Sequence, residues 1–258
     1  MHTDILRRAV RYYEGDIPAS DRDDPFWGDP RAYISINALL FGGLRTERLR
    51  VREGKRLNPA FFADPERLYA LFRALLAAAD IGRRTAPAEG YRVERAEDFA
   101  AYMETGETCA FVSTCMSGFL PAYGDKRGIV LLQWEIPAGT PCIVFRELLT
   151  DYAKSAEDEL LLPPFLRFSC SERALSPQER QITDMEGNPP QHVFVLNAEG
   201  MAPGSGQSAR SPEPPACAAA VWEALNAGAE PDPADVAEYL SWKAAFQQAL
   251  HTAGCALK

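Results

Sequence analysis

The chain has 258 residues, of which 47% are hydrophobic and 24% are charged, and its formal net charge is −9 at pH 7. These proportions are typical of a globular protein that holds one large domain, or one domain with an extension. The negative charge argues against nucleic acid or an anionic membrane surface as the main partner. No apolar run is long enough to span a bilayer and the N-terminus lacks a signal-peptide pattern, so the sequence predicts a soluble protein without a cleavable leader.

The cysteines and histidines indicate neither a disulfide framework nor a metal site. The six cysteines include no C-x-x-C pair and lie mostly in apolar, strand-like surroundings, at positions 109, 115, 142, 170, 217 and 255. This pattern favours buried thiols in a reducing compartment. The three histidines are dispersed, so we expect no zinc site.

The first 85 or so residues are predicted to be helical. The clearest helix begins at Asp64, a capping residue, with Pro65 at the first helical position, where a missing N–H costs nothing. Apolar residues then recur at helical spacing at Leu68, Leu71, Phe72, Leu75 and Leu76, which predicts a face packed in a core. The basic run 45–56 contains interspersed glutamates, so we interpret it as a solvated connection.

From Tyr91 onward the pattern changes to short strands. A short helix is predicted over 96–102, and strands are predicted over 91–93, 109–113, 128–136, 142–145, 159–162, 165–168 and 192–196. Helices followed by strands indicate the α+β class, with two packed sheets and helices at one side.

Past residue 199 the composition changes again. The segment 200–215 is rich in proline, glycine and serine and is predicted to be a linker, followed by helices over 216–225 and 233–250. The predicted division is a main domain over 1–199 (a helical region over 1–88 and a β core over 89–199), a linker over 200–215 and a C-terminal helical extension over 216–258. Whether the extension folds onto the core or binds a partner stays open.

Two carboxylates, Glu157 and Glu159, stand one residue apart before an apolar run, Leu160–Leu162, that ends at two prolines. In an extended strand they project to the same side, while Asp158 points to the other. Like charges this close raise the proton affinity of one of them or require a cationic partner. For an isolated E-x-E, a solvated acidic loop end is the simpler interpretation.

Three short motifs occur in order along the predicted strands: Tyr91-Arg92-Val93, then 111–115 (F-V-S-T-C), then 157–164 (E-D-E-L-L-L-P-P). Taken singly, Arg92 is most simply interpreted as a surface residue of a strand, and Ser113 as a residue that ends a strand. Together they resemble the R-S-E class of mono-ADP-ribosyltransferases, the family of bacterial ADP-ribosylating toxins and arginine-specific ecto-ADP-ribosyltransferases. The resemblance covers about 91–196, and more loosely 33–40 (Y-x-x-I-N-x-x-L). It implies an ADP-ribosyltransferase-like fold, with N-terminal helices packed on a split two-sheet β core and a C-terminal helical extension.

The resemblance also implies NAD⁺ as substrate, with no metal, and assigns catalytic roles. Cleavage of the nicotinamide–ribose bond builds positive charge on the ribose, as in glycoside hydrolysis. Glu159 is expected to stabilise that charge and Ser113 to orient Glu159. Glu157 is expected to orient the acceptor and help to remove its proton.

Further residues are expected to bind the dinucleotide. By resemblance, Arg92 grips the pyrophosphate, since its planar fork matches phosphate oxygens, and Tyr91 stands beside it. Thr114 is expected to shape the nicotinamide side. Phe119 or Phe111 would stack on nicotinamide, although a core position is the simpler interpretation of either.

The acceptor is the least determined feature of this interpretation. Tyr152, before the acid pair, is the candidate for target recognition, and Cys115 stands where the family usually has serine. A glutamate at 157 implies arginine as acceptor. The alternative acceptor is threonine, serine or asparagine on a host regulator such as ubiquitin or a small GTPase.

Two further functions stay open: an NAD⁺ glycohydrolase using the same site, and a catalytically silent module that binds through its C-terminal helices. No Rossmann fingerprint, Walker motif or G-x-S-x-G motif supports another enzyme class. Family habit implies a secreted bacterial effector or virulence toxin that acts on a protein in the host cytosol. The oligomeric state is left open.

Overall fold

The structure is a computed structural model that describes residues 3–116, 127–149, 158–201 and 212–254. The described residues form two compact units. The first combines the chain up to Ala78 with 212–254, and the second runs from Ala79 to 201. The bounds predicted from the sequence stay a prediction, but the contacts group the C-terminal helices with the N-terminal ones.

The helices of the described residues are α1 (Thr3–Tyr13), α2 (Ala32–Leu40), α3 (Arg45–Arg52), α4 (Pro65–Ile81), α5 (Ala96–Thr105), α6 (Phe145–Leu148), α7 (Ala218–Asn226) and α8 (Pro233–Gly254). Short 3₁₀ turns occupy Ala19–Asp21, Pro59–Ala63 and Glu179–Gln181. None of these helices has both the length and the hydropathy that crossing a bilayer requires.

Helix α4 begins as its capping sequence predicts. The Asp64 carboxylate accepts a hydrogen bond from the backbone N–H of Arg67 (2.9 Å), and Pro65 is the first helical residue. The predicted packing face is confirmed, because its members are all buried: Leu68, Leu71, Phe72, Leu75 and Leu76.

The expectation of a solvated connection over 45–56 is wrong, because its first eight residues form α3. Its Glu47 is fully buried and pairs with Lys243 of α8 (Nζ to Oε1, 2.5 Å). Lys243 also donates to the Gly43 carbonyl (2.8 Å), and the Tyr239 hydroxyl donates to Glu47 (3.0 Å). The charged segment therefore contains a core residue, Glu47, whose partner Lys243 lies almost two hundred positions away in the sequence.

The strands are β1 (Ala88–Arg95), β2 (Val112–Cys115), β3 (Ile129–Ile136), β4 (Ile143–Val144), β5 (Glu159–Leu162), β6 (Leu166–Ala174) and β7 (His192–Met201). They hydrogen-bond in the order β4-β5-β2-β1-β3-β7-β6, with β3 and β7 parallel and the other pairs antiparallel. The mixed α+β class is confirmed.

The sheet has a narrow join in the middle. Strand β1 pairs with β3 along its full length, and β2 pairs with β5 along all of its residues. In contrast, β1 and β2 meet at one register pair, Tyr91 opposite Cys115. The strands thus form one seven-stranded sheet and not the two packed sheets predicted from the sequence, because β1 and β2 still pair at the join. We call its two parts, β4-β5-β2 and β1-β3-β7-β6, the three-strand and four-strand ladders.

Strand β2 begins three residues later than predicted. The preceding segment bonds instead to the chain entering β6: Thr108 N–H donates to the Leu166 carbonyl (3.0 Å), and Phe165 N–H donates to the Thr108 carbonyl (2.7 Å). The Thr108 hydroxyl also donates to the Pro163 carbonyl (2.7 Å). These contacts hold the chain at Thr108, just before the predicted start of the strand, against the segment that enters β6.

Candidate active site

The structure brings Ser113 and Glu159 into direct contact. In the ladder between β2 and β5, Ser113 lies opposite Leu161, and Cys115 lies opposite Glu159. Residues two apart share a face, so Ser113 and Glu159 are diagonal neighbours on one face. The Ser113 hydroxyl donates a hydrogen bond to Oε1 of Glu159. Both side chains are half-buried.

The residue before Glu159 has an unusual backbone. Asp158 has φ +42°, in the left-handed region that non-glycine residues rarely adopt. Its carbonyl accepts a hydrogen bond from Met116 N–H (3.0 Å), and its carboxylate forms an ion pair with Nη1 of Arg146 (2.7 Å). Glu159 therefore enters β5 from a backbone turn that is held on both sides.

Arg92 is attached to the same serine through the backbone. Its Nη1 donates to the Ser113 carbonyl oxygen (2.9 Å), and its Nε donates to Oε2 of Glu94 (2.5 Å). Glu94 is 1% exposed. Arg92, Ser113 and Glu159 thus form one continuous hydrogen-bonded chain across the join between β1 and β2.

Arg92 and Glu159, the two ends of this hydrogen-bonded series, project from opposite faces of the sheet. A Cβ at Gly90 would lie 2.6 Å from Oγ1 of Thr114, so these two residues share a face. Arg92, two residues on, begins on that face. Tyr91 lies opposite Cys115 and belongs to the face of Glu159. From that face the Arg92 guanidinium reaches the Ser113 carbonyl oxygen (2.9 Å).

Sequence reasoning missed Glu94, which lies two residues after Arg92 on the same strand. The available signal is the R-x-E spacing, because a strand places residues two apart side by side on one face. A buried carboxylate next to an arginine neutralises charge that burial makes costly. Glu94 thereby fixes the orientation of the Arg92 fork.

The other expected dinucleotide contacts are placed as follows. Thr114 is 1% exposed, and its hydroxyl donates to the Leu160 carbonyl (3.0 Å). The Tyr91 hydroxyl donates to Oε2 of Glu89 (2.9 Å), and burial, with a smaller effect from Glu89, raises the pKa of Tyr91. Phe111 is buried, in agreement with its alternative interpretation as a core residue. Phe119, Tyr152 and Glu157 lie outside the described residues.

A second ionic cluster lies beside Tyr91 in the four-strand ladder. Gln133 pairs with Tyr91 in register and accepts a hydrogen bond from Nη2 of Arg173 (2.7 Å). Arg173 donates to both carboxylate oxygens of Glu179 (3.0 and 2.9 Å). These hydrogen bonds lower the pKa of Glu179 from 4.5 to about 2. The cluster ties the 3₁₀ turn at Glu179–Gln181 to the sheet.

Chemically, the site presents one oriented carboxylate on β5, one strand away from the narrow join between β1 and β2. A hydroxyl that donates to one oxygen of Glu159 fixes the carboxylate, so that no reorientation is needed when positive charge develops beside it. Within the four described segments, no cluster of side chains suited to binding a metal ion is found. The described groups therefore suit electrostatic stabilisation of a cationic transition state.

Comparisons with known proteins give matches among solved structures. No family model and no curated protein matches the chain. The C3 exoenzyme of Clostridium limosum is 12% identical, with 77% of this chain and 95% of that chain covered and a TM-score of 0.40. An ADP-ribosyltransferase of Clostridium botulinum is 11% identical, with 74% of this chain and 90% of that chain covered and a TM-score of 0.41. C3larvin, an ADP-ribosyltransferase toxin of Paenibacillus larvae, is 14% identical, with 72% of this chain and 99% of that chain covered and a TM-score of 0.38.

Similarity at TM-scores of 0.38 to 0.41 does not establish a shared fold or a shared activity.

Proposed function

We propose that the protein is a mono-ADP-ribosyltransferase that moves ADP-ribose from NAD⁺ to a side chain of another protein. The observation that carries this proposal is the hydrogen bond from Ser113 to Glu159 at the join of the two ladders, with Arg92 attached to the same serine. These residues are 21 and 46 positions apart in the chain. They come from the three motifs on which the family resemblance rests.

In the proposed reaction the bond between ribose C1′ and the nicotinamide nitrogen breaks, and its electron pair leaves with nicotinamide. The ribose becomes positively charged, and the Glu159 carboxylate stabilises this charge. A nucleophilic atom of the acceptor then bonds to C1′ and loses its proton. Glu157 is the proposed base for that proton.

Arg92 has two roles in this proposal. Its contact with the Ser113 carbonyl braces the strand that carries the serine. Its proposed contact with the pyrophosphate comes from the family resemblance; in the structure its Nε is paired with Glu94, and the residue starts from the face opposite Glu159. Glu94 holds the guanidinium in place for both roles.

The proposed acceptor is an arginine on a host protein, because the first position of the acid pair is a glutamate. A threonine, serine or asparagine acceptor is the alternative. The proposed setting is that of a secreted bacterial effector acting in the host cytosol.

NAD⁺ glycohydrolysis is the second candidate function. The proposed roles of Ser113 and Glu159 in breaking the nicotinamide–ribose bond are the same whether water or a protein side chain is the acceptor. Water would then take the place of the protein side chain.

The test is incubation of the full chain with NAD⁺ labelled in the adenylate and a lysate of animal cells. We expect a labelled protein band and release of nicotinamide. Glu159→Gln should reduce both by at least about 100-fold. Glu172→Gln, at an exposed carboxylate on β6, is the matched control and should reduce neither. Nicotinamide release without a band would favour the glycohydrolase, and a wild-type protein that leaves NAD⁺ intact would exclude both enzymes.

A further inference from the structure

Helix α6 lies next to the start of β5. Strand β4 pairs with β5, with Val144 opposite Leu160, and α6 begins at the following residue. Arg146 is the second residue of α6, and Asp158 is the residue before β5. Their side chains meet, with Nη1 of Arg146 2.7 Å from Oδ1 of Asp158.

Asp158 adopts a conformation that needs support. A left-handed backbone costs an L-residue roughly 1–2 kcal/mol, although aspartate tolerates it better than most residues. Two contacts surround it: the ion pair with Arg146, a charge contact in which Oδ1 makes no hydrogen bond, and the hydrogen bond from Met116 N–H to its carbonyl. The next residue is Glu159, which faces Cys115 in the ladder. The geometry of Asp158 therefore sets the direction from which the Glu159 backbone enters the strand.

We propose that Arg146 is a positioning residue of the active site: it holds the Asp158 carboxylate and thereby keeps Glu159 aligned with Ser113. This role rests on the proposed function of Glu159. Arg146 acts through Asp158 and does not contact the substrate.

The ion pair acts on geometry more than on stability. The Arg146 side chain is 54% exposed, and exposed ion pairs contribute little to the free energy of unfolding. A small displacement of a catalytic carboxylate, in contrast, has a large effect on rate. Arg146→Ala should therefore lower kcat for NAD⁺ cleavage about tenfold, with KM for NAD⁺ changed less than about twofold and Tm almost unchanged.

The same helix offers a matched control. Glu147 is the neighbour of Arg146 on α6, is 62% exposed, and forms an ion pair with Arg84 (3.5 Å). Glu147→Ala removes an exposed ion pair from α6 but leaves Asp158 untouched. It should leave kcat and KM at the wild-type values.

Variants of Arg146 and Asp158 distinguish the effect of the Asp158 charge from the effect of its left-handed backbone. Asp158→Asn keeps a residue that tolerates the left-handed region but removes the charge, so it should lower kcat as Arg146→Ala does. The double variant should be no worse than either single one, because both remove the same contact. Arg146→Lys keeps a cation within reach of Asp158 and should restore most of kcat.

A second readout does not depend on activity. The Met116 amide donates to the Asp158 carbonyl, so its hydrogen exchange reports how firmly the turn is held. Arg146→Ala should speed this exchange about tenfold and Glu147→Ala should not. Wild-type kcat and wild-type exchange in Arg146→Ala would overturn the proposal.

The two proposals fail in different ways. A wild-type protein that does not cleave NAD⁺ overturns the proposed function and, with it, a catalytic purpose for Arg146, even where exchange at Met116 responds as expected. An active wild type whose kcat is insensitive to Arg146→Ala and Asp158→Asn overturns the role of Arg146 alone.

Discussion

At the scale of single residues, the site depends on close contacts between neighbouring strands. Ser113 and Glu159 touch because β2 and β5 are antiparallel in a register that makes them diagonal neighbours. Arg92 reaches the same serine through a backbone carbonyl. One-residue slips would move each side chain to the opposite face.

Replacing Ser113 should reduce activity more than stability. Ser113→Ala removes the hydroxyl that orients Glu159 but leaves the backbone carbonyl that Arg92 binds. We expect kcat for NAD⁺ cleavage to fall about tenfold or more, with Tm changed by only a few degrees. Steady-state kinetics and calorimetry check this, and an unchanged kcat would show that the hydrogen bond does not serve catalysis.

Gly90 of β1 lies against the side chain of Thr114 of β2. A Cβ there would lie 2.6 Å from Oγ1 and 2.8 Å from Cβ of Thr114, and Thr114 is buried. Gly90→Ala should therefore lower the free energy of unfolding by about 1–3 kcal/mol. Gly42→Ala, at a glycine with no heavy atom within 4 Å of the added carbon, is the control. Urea denaturation of both variants measures the difference, and equal midpoints would contradict the predicted clash.

At the scale of elements, the sequence predicts what depends on local pattern and misses what depends on distant partners. Strand β5 covers the range predicted for it, Glu159–Leu162, and α4 begins at its cap. Helix α3 is missed because its charged residues indicate solvent, whereas Glu47 finds its cation on α8. The late start of β2 also depends on contacts that no local pattern encodes, whereas the pairing of Glu94 with Arg92 has a local signal in their R-x-E spacing.

The turn at Glu179–Gln181 is held by an ion pair that depends on pH. The pKa of Glu179 is lowered from 4.5 to about 2, chiefly by hydrogen bonds from Arg173. A lowered folded pKa contributes stability that is fully present above pH 4.5 and is lost as pH falls towards 2. Glu179→Gln should therefore lose less stability than the wild type between these pH values. Urea midpoints across this pH range check the sign, and parallel curves would contradict it.

At the scale of the whole molecule, the C-terminal helices belong to a folded unit and are not a free appendage. Trp222 of α7 donates to the Tyr239 hydroxyl (3.0 Å), which in turn donates to buried Glu47 (3.0 Å). Lys243 is also buried, and burial lowers its pKa, while Glu47 opposes this effect. Chain segments from both ends therefore share one polar network inside the helical unit.

Replacing only Lys243 should lower the free energy of unfolding more than replacing both Lys243 and Glu47. Lys243→Met leaves the Glu47 charge buried without its cation and should cost about 3–5 kcal/mol of unfolding free energy. The double variant Glu47→Leu with Lys243→Met should recover most of that loss. Thermal unfolding compares the two. A double variant no more stable than the single one would show that the loss of Lys243 acts through packing.

The single register pair between β1 and β2 makes the sheet weakest along the line where the proposed substrate would lie. A dinucleotide that contacts residues of both ladders would then connect them across the join, adding contacts that the backbone hydrogen bonds do not supply. At a concentration 100 times its Kd, such a ligand raises the unfolding free energy by about 2.7 kcal/mol. Saturating NAD⁺ should therefore protect the amides flanking Tyr91 and Cys115 from exchange more than those in the middle of β3, whose pairing is already complete.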